Sequence, residues 1–270
     1  MRRSATFLLI AAWAGLIAAS TRLPAQTPAH RDGGSTTVVM RDGGVSETLQ
    51  SIYIPPLLNA PFTAVVRTEW TRPMAEGGAY TMVNQRRVAR DSKGRIYEER
   101  WLLVPRGGNV QSEMNVIQVA DPEAHTLYNC FTLQKPHRCM LLTFAETAQM
   151  QYKPNVGVTG PMANNLGSSR HEDLGVRSIE GIETRGTRDT NYFNAGVMGS
   201  DQPFTAYREF WLAPGLGVNL SSEVTGPVVG KQVFTLTDVT LDEPDPRLFE
   251  LPDGFAVVDQ RKLPAAASPQ

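Results

Sequence analysis

The chain has 270 residues, of which 41% are hydrophobic and 20% are charged, a composition typical of a folded globular protein rather than a disordered one. Its 26 lysines and arginines nearly balance its 27 aspartates and glutamates, which gives a net charge of -1. This balance leaves no basic surplus for non-specific nucleic-acid binding, so we expect no nucleic-acid partner.

The N-terminal segment, residues 1–25, has the pattern of a secretory signal peptide. Arg2 and Arg3 give a positive start, an apolar run extends from Ala5 to Ala19, and Ala25 supplies the small residue expected before a cleavage site. A membrane anchor is the alternative, but this run is shorter than the roughly 20 residues that a spanning helix needs. We therefore predict cleavage before Gln26, no integral membrane span afterwards, and a periplasmic or secreted product.

Two segments of simple composition flank the predicted domain. Residues 26–45 contain the string Arg-Asp-Gly-Gly twice and are interpreted as a flexible lead-in. Residues 262–270 contain three alanines and two prolines and are predicted to form a disordered tail. Because an all-β domain often uses roughly 200 to 250 residues as one unit, residues 46–261 are predicted to form a single domain.

Alternation of apolar and polar residues with a period of two dominates this domain and predicts an antiparallel sheet. Turn sequences such as Glu76-Gly77-Gly78 separate most of the alternating runs. In chain order, the predicted strands are Ala64–Trp70, Ala79–Arg90, Arg95–Val104, Met114–Ala120, Thr126–Phe131, Cys139–Phe144, Ile182–Thr190, Thr205–Leu212, Val218–Thr225 and Lys231–Leu241.

Few helices are predicted. Ser46 to Tyr53 and Phe144 to Tyr152 are the two candidates, and each ends before a proline. Between Lys153 and Leu174, the glycines, asparagines and serines predict an irregular connection. The predicted fold class is α+β, mostly antiparallel β, in which a few short helices cover a strongly curved, incompletely closed barrel.

The chain has two cysteines, Cys130 and Cys139. They flank a polar segment that contains Pro136 and lies between two β-prone runs, which is typical of a hairpin turn. In an oxidising compartment, and without a Cys-x-x-Cys motif, this spacing favours a disulfide over metal or thiol chemistry. His137 lies two residues before Cys139, but the pair lacks the other ligands of a tetrahedral site, so no metal site is predicted.

No motif typical of catalysis or cofactor binding was found in the sequence. It contains no Gly-x-Ser-x-Gly elbow, no His-Glu-x-x-His helix, no phosphate-binding loop and no dinucleotide fingerprint. The run His171-Glu172-Asp173 is interpreted as a solvated loop, because consecutive side chains point in different directions. A proline interrupts the acidic run from Asp242 to Asp245, which predicts a stiff turn rather than a calcium loop. We therefore predict no enzymatic activity, no catalytic residue and no cofactor.

Six aromatic residues in the predicted strands either pack in the core or line an apolar cavity. A curved sheet cannot fill its concave face without helices, and few are predicted here, so some of these side chains could contact a ligand. Ordinary core packing is the alternative for each of them. The six cavity candidates are Trp70, Tyr80, Tyr97, Trp101, Phe210 and Trp211.

Three segments resemble a group of exported bacterial proteins of uncharacterised function. They are Ser178–Arg188, Arg208–Gly217 and Glu243–Phe255, and Val88–Arg95 adds a fourth, weaker match. This group is in turn similar to the LolA/LolB-like superfamily of periplasmic lipoprotein carriers, which includes RseB-type sensors. Phe249 to Val258 matches the common ending of that superfamily, Phe-x-x-Pro-x-Gly-x-x-Val.

The resemblance covers Phe62 to Asp259 and implies an incomplete antiparallel β-barrel whose hydrophobic concavity holds acyl chains. It suggests a non-enzymatic periplasmic module that binds a lipid, a lipoprotein or another apolar ligand. An RseB-like sensory or protein-interaction domain, with an envelope protein as its partner, is the alternative. The cysteine hairpin and the connection before Leu174 have no counterpart in the carriers.

The C-terminal segment is polar and rich in proline, with a few apolar residues at intervals. We expect Phe249, Pro252 and Phe255 to dock this segment onto the sheet, because apolar side chains in such a stretch gain stability by burial.

Overall fold

A computed structural model describes residues 52–144, 157–227 and 229–261, and the structural statements below refer to these residues. All of them belong to one compact unit. The predicted signal peptide, the lead-in and the tail lie outside the described residues. Of the two helix candidates, only residues 52–53 and 144 are described, and none of these is helical.

Fourteen strands form the described part of the chain. They are β1 (Phe62–Pro73), β2 (Ala79–Arg90), β3 (Ile96–Trp101), β4 (Val104–Pro105), β5 (Met114–Asp121), β6 (Thr126–Phe131), β7 (Arg138–Thr143), β8 (Gly160–Pro161), β9 (Gly167–Ile179), β10 (Ile182–Phe193), β11 (Phe204–Ala213), β12 (Val218–Gly226), β13 (Gly230–Thr240) and β14 (Ala256–Asp259). Short 3-10 turns at Ala163–Asn165, Val197–Gly199 and Pro246–Phe249 are the only helical segments within the described ranges.

The strands form one open sheet with the order β14-β7-β6-β5-β3-β2-β1-β13-β12-β11-β10-β9-β8, and β4 pairs with β2 beside this path. All neighbouring pairs are antiparallel except β14 and β7, which are parallel. Two meanders, β1 to β7 and β8 to β13, therefore join where β1 pairs with β13. The mostly antiparallel architecture is confirmed, whereas no covering α-helix is present in the described residues. These residues also contain no helix that is long and apolar enough to cross a membrane.

One expectation for the connection between the two meanders was wrong. The segment from Lys153 to Leu174 was expected to be irregular, but β9 begins at Gly167 within it and pairs with β10 along its whole length. No residue of β9 is buried, so this strand has no apolar face to produce an alternating pattern. Its stability comes from pairing with β10 rather than from burial.

The two faces of the sheet can be told apart by β1. The inner face carries Ala64, Val66 and Thr68, which are buried, and the outer face carries Val65 and Arg67, which alternate with them. Cross-strand register extends both faces to neighbouring strands, because directly opposed residues share a face. Thr68 lies opposite Asn84 and Phe234, while Arg67 lies opposite Gln85 and Thr235.

The main hydrophobic cluster covers one end of the inner face. Strands from both meanders contribute to it, and Ile52, Ile54 and Phe144 pack against them. Its fully buried side chains include Phe62, Val66, Val88, Val218, Leu220 and Leu236. The same end of the sheet contains Arg90, which is also fully buried.

The C-terminal segment docks on the outer face, which confirms the expectation for Phe249. Its ring is buried with Ala89, Tyr97 and Val119, and the Arg95 guanidinium lies 4.7 Å from the ring centroid. Further along, Phe255 stacks on His137 with ring centroids 4.8 Å apart. Strand β14 then pairs with β7 at the edge of the sheet.

The predicted disulfide is confirmed. Cys130 in β6 lies directly opposite Cys139 in β7, and the two are bonded, with their Cα atoms 3.9 Å apart. Both cysteines are fully buried. The bond therefore links the two strands of one hairpin next to the edge where β14 docks.

Candidate ligand-binding site

The six aromatic cavity candidates are divided between the two faces of the sheet. Cross-strand register places Trp70, Tyr80 and Phe210 on the inner face, and Tyr97, Trp101 and Trp211 on the outer face. The structure therefore does not bring all six together around one cavity. Each face has to be considered separately as a binding surface.

The inner face becomes less buried with distance from the main hydrophobic cluster. Phe62 and Val66 are fully buried, and Phe234, one row beyond Val66, remains buried. Next to Phe234 lies a half-buried group, here called the inner patch, and beyond it Tyr80 is 43% exposed. The inner patch consists of Trp70, Met82, Phe210 and Val224.

Polar side chains border the inner patch on the side of β3 and β5. Arg86 pairs with Glu98 at 3.2 Å, Arg100 donates to Gln118 at 3.0 Å, and Gln118 donates to Asn129 at 2.8 Å. Burial lowers the pKa of Arg86, while the neighbouring Glu98 carboxylate opposes that shift. These contacts hold charged groups close to an apolar surface, because the partners replace much of their lost hydration.

His171 and Asp189 form a cross-strand pair on the inner face of β9 and β10. His171 Nδ1 lies 2.6 Å from Asp189 Oδ1, and both side chains are partly exposed. The interpretation of His171-Glu172-Asp173 as a loop was therefore wrong, since these residues form the middle of β9. The described residues contain no group of three or more His, Cys, Asp or Glu side chains that could hold a metal ion.

On the outer face, a groove of about 730 Å³ lies between β1, β2 and the chain that follows β3. Its lining is mainly polar, with the apolar side chains of Val65, Val83 and Val104 between the charged ones. The charged and aromatic lining residues are Arg67, Arg86, Arg87, Arg106, Glu69, Glu99 and Trp101. This groove therefore combines charged groups with apolar surface.

Glu99 organises one wall of this groove. Its carboxylate accepts hydrogen bonds from the Tyr97 hydroxyl at 2.9 Å, the Trp101 indole at 2.8 Å and the Arg87 backbone N–H at 3.2 Å. Burial, together with the nearby Glu99 charge, raises the pKa of the Tyr97 phenol. The phenol is therefore neutral at pH 7 and acts as a donor to Glu99.

The tryptophan–glutamate part of this arrangement occurs a second time on the outer face, where the tyrosine donates to Glu223 instead. β3 contains Tyr97-x-Glu99-x-Trp101 and β11 contains Tyr207-x-Glu209-x-Trp211, so the repeated motif is Tyr-x-Glu-x-Trp. The Trp211 indole donates to Glu209 at 2.7 Å, as Trp101 does to Glu99. Sequence reasoning missed this pair, although its spacing of two in a strand places all three side chains on one face.

In the β11 copy, the chain's own arginines contact the motif. The Arg177 guanidinium lies 3.6 Å from the Trp211 ring centroid, and Arg188 Nε donates to Glu209 at 3.0 Å. Burial opposes ionisation of Glu209, but its hydrogen bonds from Trp211 and Arg188 prevail and lower the pKa of the carboxyl. Gly186 makes this packing possible, because a Cβ there would lie 2.7 Å from the Trp211 ring.

Comparison with known proteins gives matches among solved structures. The MucA/MucB complex of Pseudomonas aeruginosa matches with 15% identity and a TM-score of 0.34, over 73% of this chain and 58% of that chain. Lipoprotein LppX of Mycobacterium tuberculosis matches with 13% identity and a TM-score of 0.28, over 68% and 90%. LprF of Mycobacterium bovis matches with 14% identity and a TM-score of 0.27, over 69% and 90%.

The chain spans 58% of the length of the MucB chain that it matches. No protein-family model and no curated protein matches the sequence. At these identities and TM-scores, none of the matches assigns a ligand or an activity to this chain.

Proposed function

We propose that this protein is a non-enzymatic binding module of the periplasm or the extracellular space, and that its inner face takes a lipid, a lipoprotein acyl chain or another apolar ligand. The main support for the proposal is that inner-face side chains become less buried with distance from the main hydrophobic cluster. Apolar side chains continue from the buried cluster through Phe234 into the half-buried inner patch. A ligand that covers this patch would remove apolar surface from water.

The size of the expected effect follows from the chemistry of acyl chains. Each buried methylene contributes on the order of 0.8 kcal/mol, so the binding free energy should grow with the length of the acyl chain that covers Trp70 and Phe210. The Trp70 ring is already oriented, because its indole N–H donates to the Val229 carbonyl at 2.7 Å. The patch therefore presents a positioned aromatic surface to a flexible ligand.

The test uses two neighbouring residues of β2 that point to opposite faces. Met82 belongs to the inner patch, and Val83 lines the outer groove; both are half-buried. An environment-sensitive fatty-acyl probe should bind the folded protein saturably and be competed by lipid. Met82→Ala should weaken probe binding several-fold, whereas Val83→Ala should leave it unchanged. Absence of saturable binding, or equal effects of both substitutions, would exclude the inner face as the site.

A protein-interaction function is the second candidate, and the edge of the sheet favours it. β14 is an end strand of the sheet, and Val257 and Val258 on it are 47% and 38% exposed. An edge strand with apolar side chains can pair with an extended segment of a partner. Native mass spectrometry of protein purified from its own compartment separates the two functions: a copurifying lipid supports the first, and a copurifying polypeptide supports the second.

A further inference from the structure

Two arginines of the outer groove, Arg67 and Arg87, form no ion pair within the described residues and can bind an anion. Arg67 lies opposite Gln85, and Arg87 lies two residues further along the same strand, so the two are diagonal neighbours on one face. Such neighbours are roughly 7 to 8 Å apart, a separation that long side chains bridge. Arg67 donates through Nε to Thr237 at 3.2 Å. Neither arginine has a carboxylate within ion-pair distance among the described residues.

The other charged groups of the groove are already engaged. Arg106 forms an ion pair with Glu69. Glu99 accepts three hydrogen bonds, from Tyr97, Trp101 and the backbone of Arg87. With four arginines and two glutamates in its lining, the groove has a net positive charge. The guanidinium groups of Arg67 and Arg87, which form no ion pair within the described residues, match the charge and geometry of a phosphate, which accepts several charge-assisted hydrogen bonds.

Trp101 adds a place for a cation beside that anion site. In the β11 copy of the Tyr-x-Glu-x-Trp motif, a guanidinium covers the Trp211 ring next to the carboxylate of Glu209. In the β3 copy, Trp101 and Glu99 have the same relationship and line the open groove. A tryptophan face next to a carboxylate favours an ammonium group, since the ring quadrupole and the negative charge both attract it.

We propose that this groove is a second binding site, which takes a small zwitterionic group with a phosphate next to an ammonium. The phosphate would bind Arg67 and Arg87, and the ammonium would lie over Trp101 beside Glu99. Phosphocholine and phosphoethanolamine have this chemistry, either as free molecules or as lipid headgroups. Because the groove is on the face opposite the inner patch, this site is independent of the proposed function.

The experiment is to titrate the protein separately with phosphocholine, inorganic phosphate and choline at equal ionic strength. Binding is measured by calorimetry and by tryptophan fluorescence. Phosphocholine should bind at least about tenfold more tightly than either fragment, since the two charged contacts add. The double variant Arg67→Gln/Arg87→Gln should bind phosphocholine at least about tenfold more weakly. Arg185→Gln, which alters an exposed strand arginine outside the groove, should bind like the wild type.

A third variant tests the ammonium contact by itself. Trp101→Leu should reduce the preference for phosphocholine over phosphate while leaving phosphate binding in place.

Vesicles of phosphatidylcholine distinguish the two sources of the ligand: binding to vesicles identifies a lipid headgroup, and binding to free phosphocholine alone identifies a soluble ligand. The proposal is overturned if phosphocholine binds no better than phosphate, or if the double arginine variant binds phosphocholine like the wild type. Met82→Ala should leave phosphocholine binding unchanged. The outer-groove proposal and the inner-face proposal can therefore be rejected independently of each other.

Discussion

The guanidinium of Arg90 donates to the carbonyl of Leu216 at 2.9 Å, although 126 positions separate the two residues. The same fully buried side chain donates to the carbonyls of Pro55 and Ala60. Burial lowers the pKa of Arg90 to about 10, which leaves the guanidinium charged at pH 7. One cation therefore ties together the chain before β1, the end of β2 and the turn between β11 and β12.

Replacing Arg90 should destabilise the protein strongly. Arg90→Lys keeps the charge, but its single nitrogen cannot occupy the separate positions from which Nε, Nη1 and Nη2 reach the three carbonyls, and buried acceptors left unpaired are costly. We expect a loss of about 3 to 5 kcal/mol in the free energy of unfolding, measured by urea denaturation. Arg87→Lys, on the same strand but exposed, should change it by less than about 0.5 kcal/mol. Equal stability of Arg90→Lys and the wild type would contradict this role.

Tyr97 should make stability depend on pH in the alkaline range. Burial, reinforced by Glu99, raises the pKa of this phenol in the folded state above its unfolded value of 10.0. Its contribution to stability is therefore fully present below pH 10 and is lost as the pH rises above that value. Alkaline titration followed by phenolate absorbance should show late-ionising groups, since burial also raises the pKa of Tyr207.

The matched variants for this prediction are Tyr97→Phe and Tyr207→Phe. Each should remove part of the late absorbance change, and Tyr97→Phe should reduce the fall in melting temperature above pH 10. If Tyr97→Phe leaves both curves unchanged, the phenol is not held neutral by its surroundings.

The disulfide should contribute measurably to stability, because it closes a short loop in the unfolded chain. Because Cys130 and Cys139 are nine positions apart in the sequence, the chain-entropy relation gives about 2 to 3 kcal/mol. Reduction should therefore lower the melting temperature, and thiol labelling after denaturation should detect two cysteines only in the reduced protein. A double Cys→Val variant is the control, since a reductant should not change its melting temperature.

Phe249 should be the main anchor of the C-terminal segment. Phe249→Ala should cost about 3 kcal/mol or more, because the ring is buried between Ala89, Tyr97 and Val119. Val258→Ala, in the exposed part of β14, should cost less than about 0.5 kcal/mol. Urea denaturation of both variants measures the difference, and similar values for the two would mean that the segment has no single anchor.

Particular strands show what the sequence can and cannot predict. The bounds of β2 follow from its sequence because it alternates on one buried face and Gly77 and Gly78 mark the preceding turn. β9 could not be found in this way because neither of its faces is buried.

The candidate site was only partly predictable. Alternation already separates Phe210 from Trp211, since neighbours in a strand point to opposite faces. Whether Phe210 and Trp70 share a face depends on the order of β11, β12, β13 and β1, which local patterns do not encode. The outer groove was not predicted because it is lined by residues of several strands and of the chain after β3. Only the order of the strands in the sheet brings these residues together.

The two Tyr-x-Glu-x-Trp motifs also reveal an approximate local symmetry in the sheet. One strand, β2, separates β3 from β1, and one strand, β12, separates β11 from β13. Each neighbouring pair from β3 to β11 is antiparallel, and there are five such pairs, so β3 and β11 run in opposite directions. A twofold axis perpendicular to the sheet, between β1 and β13, relates strands placed in this way. On one side of this axis, Arg177 and Arg188 contact the motif of β11. On the other side, the motif of β3 lines the groove. The outer face thus contains two tryptophan–glutamate pairs, one covered by the chain's own arginines and one that lines a groove.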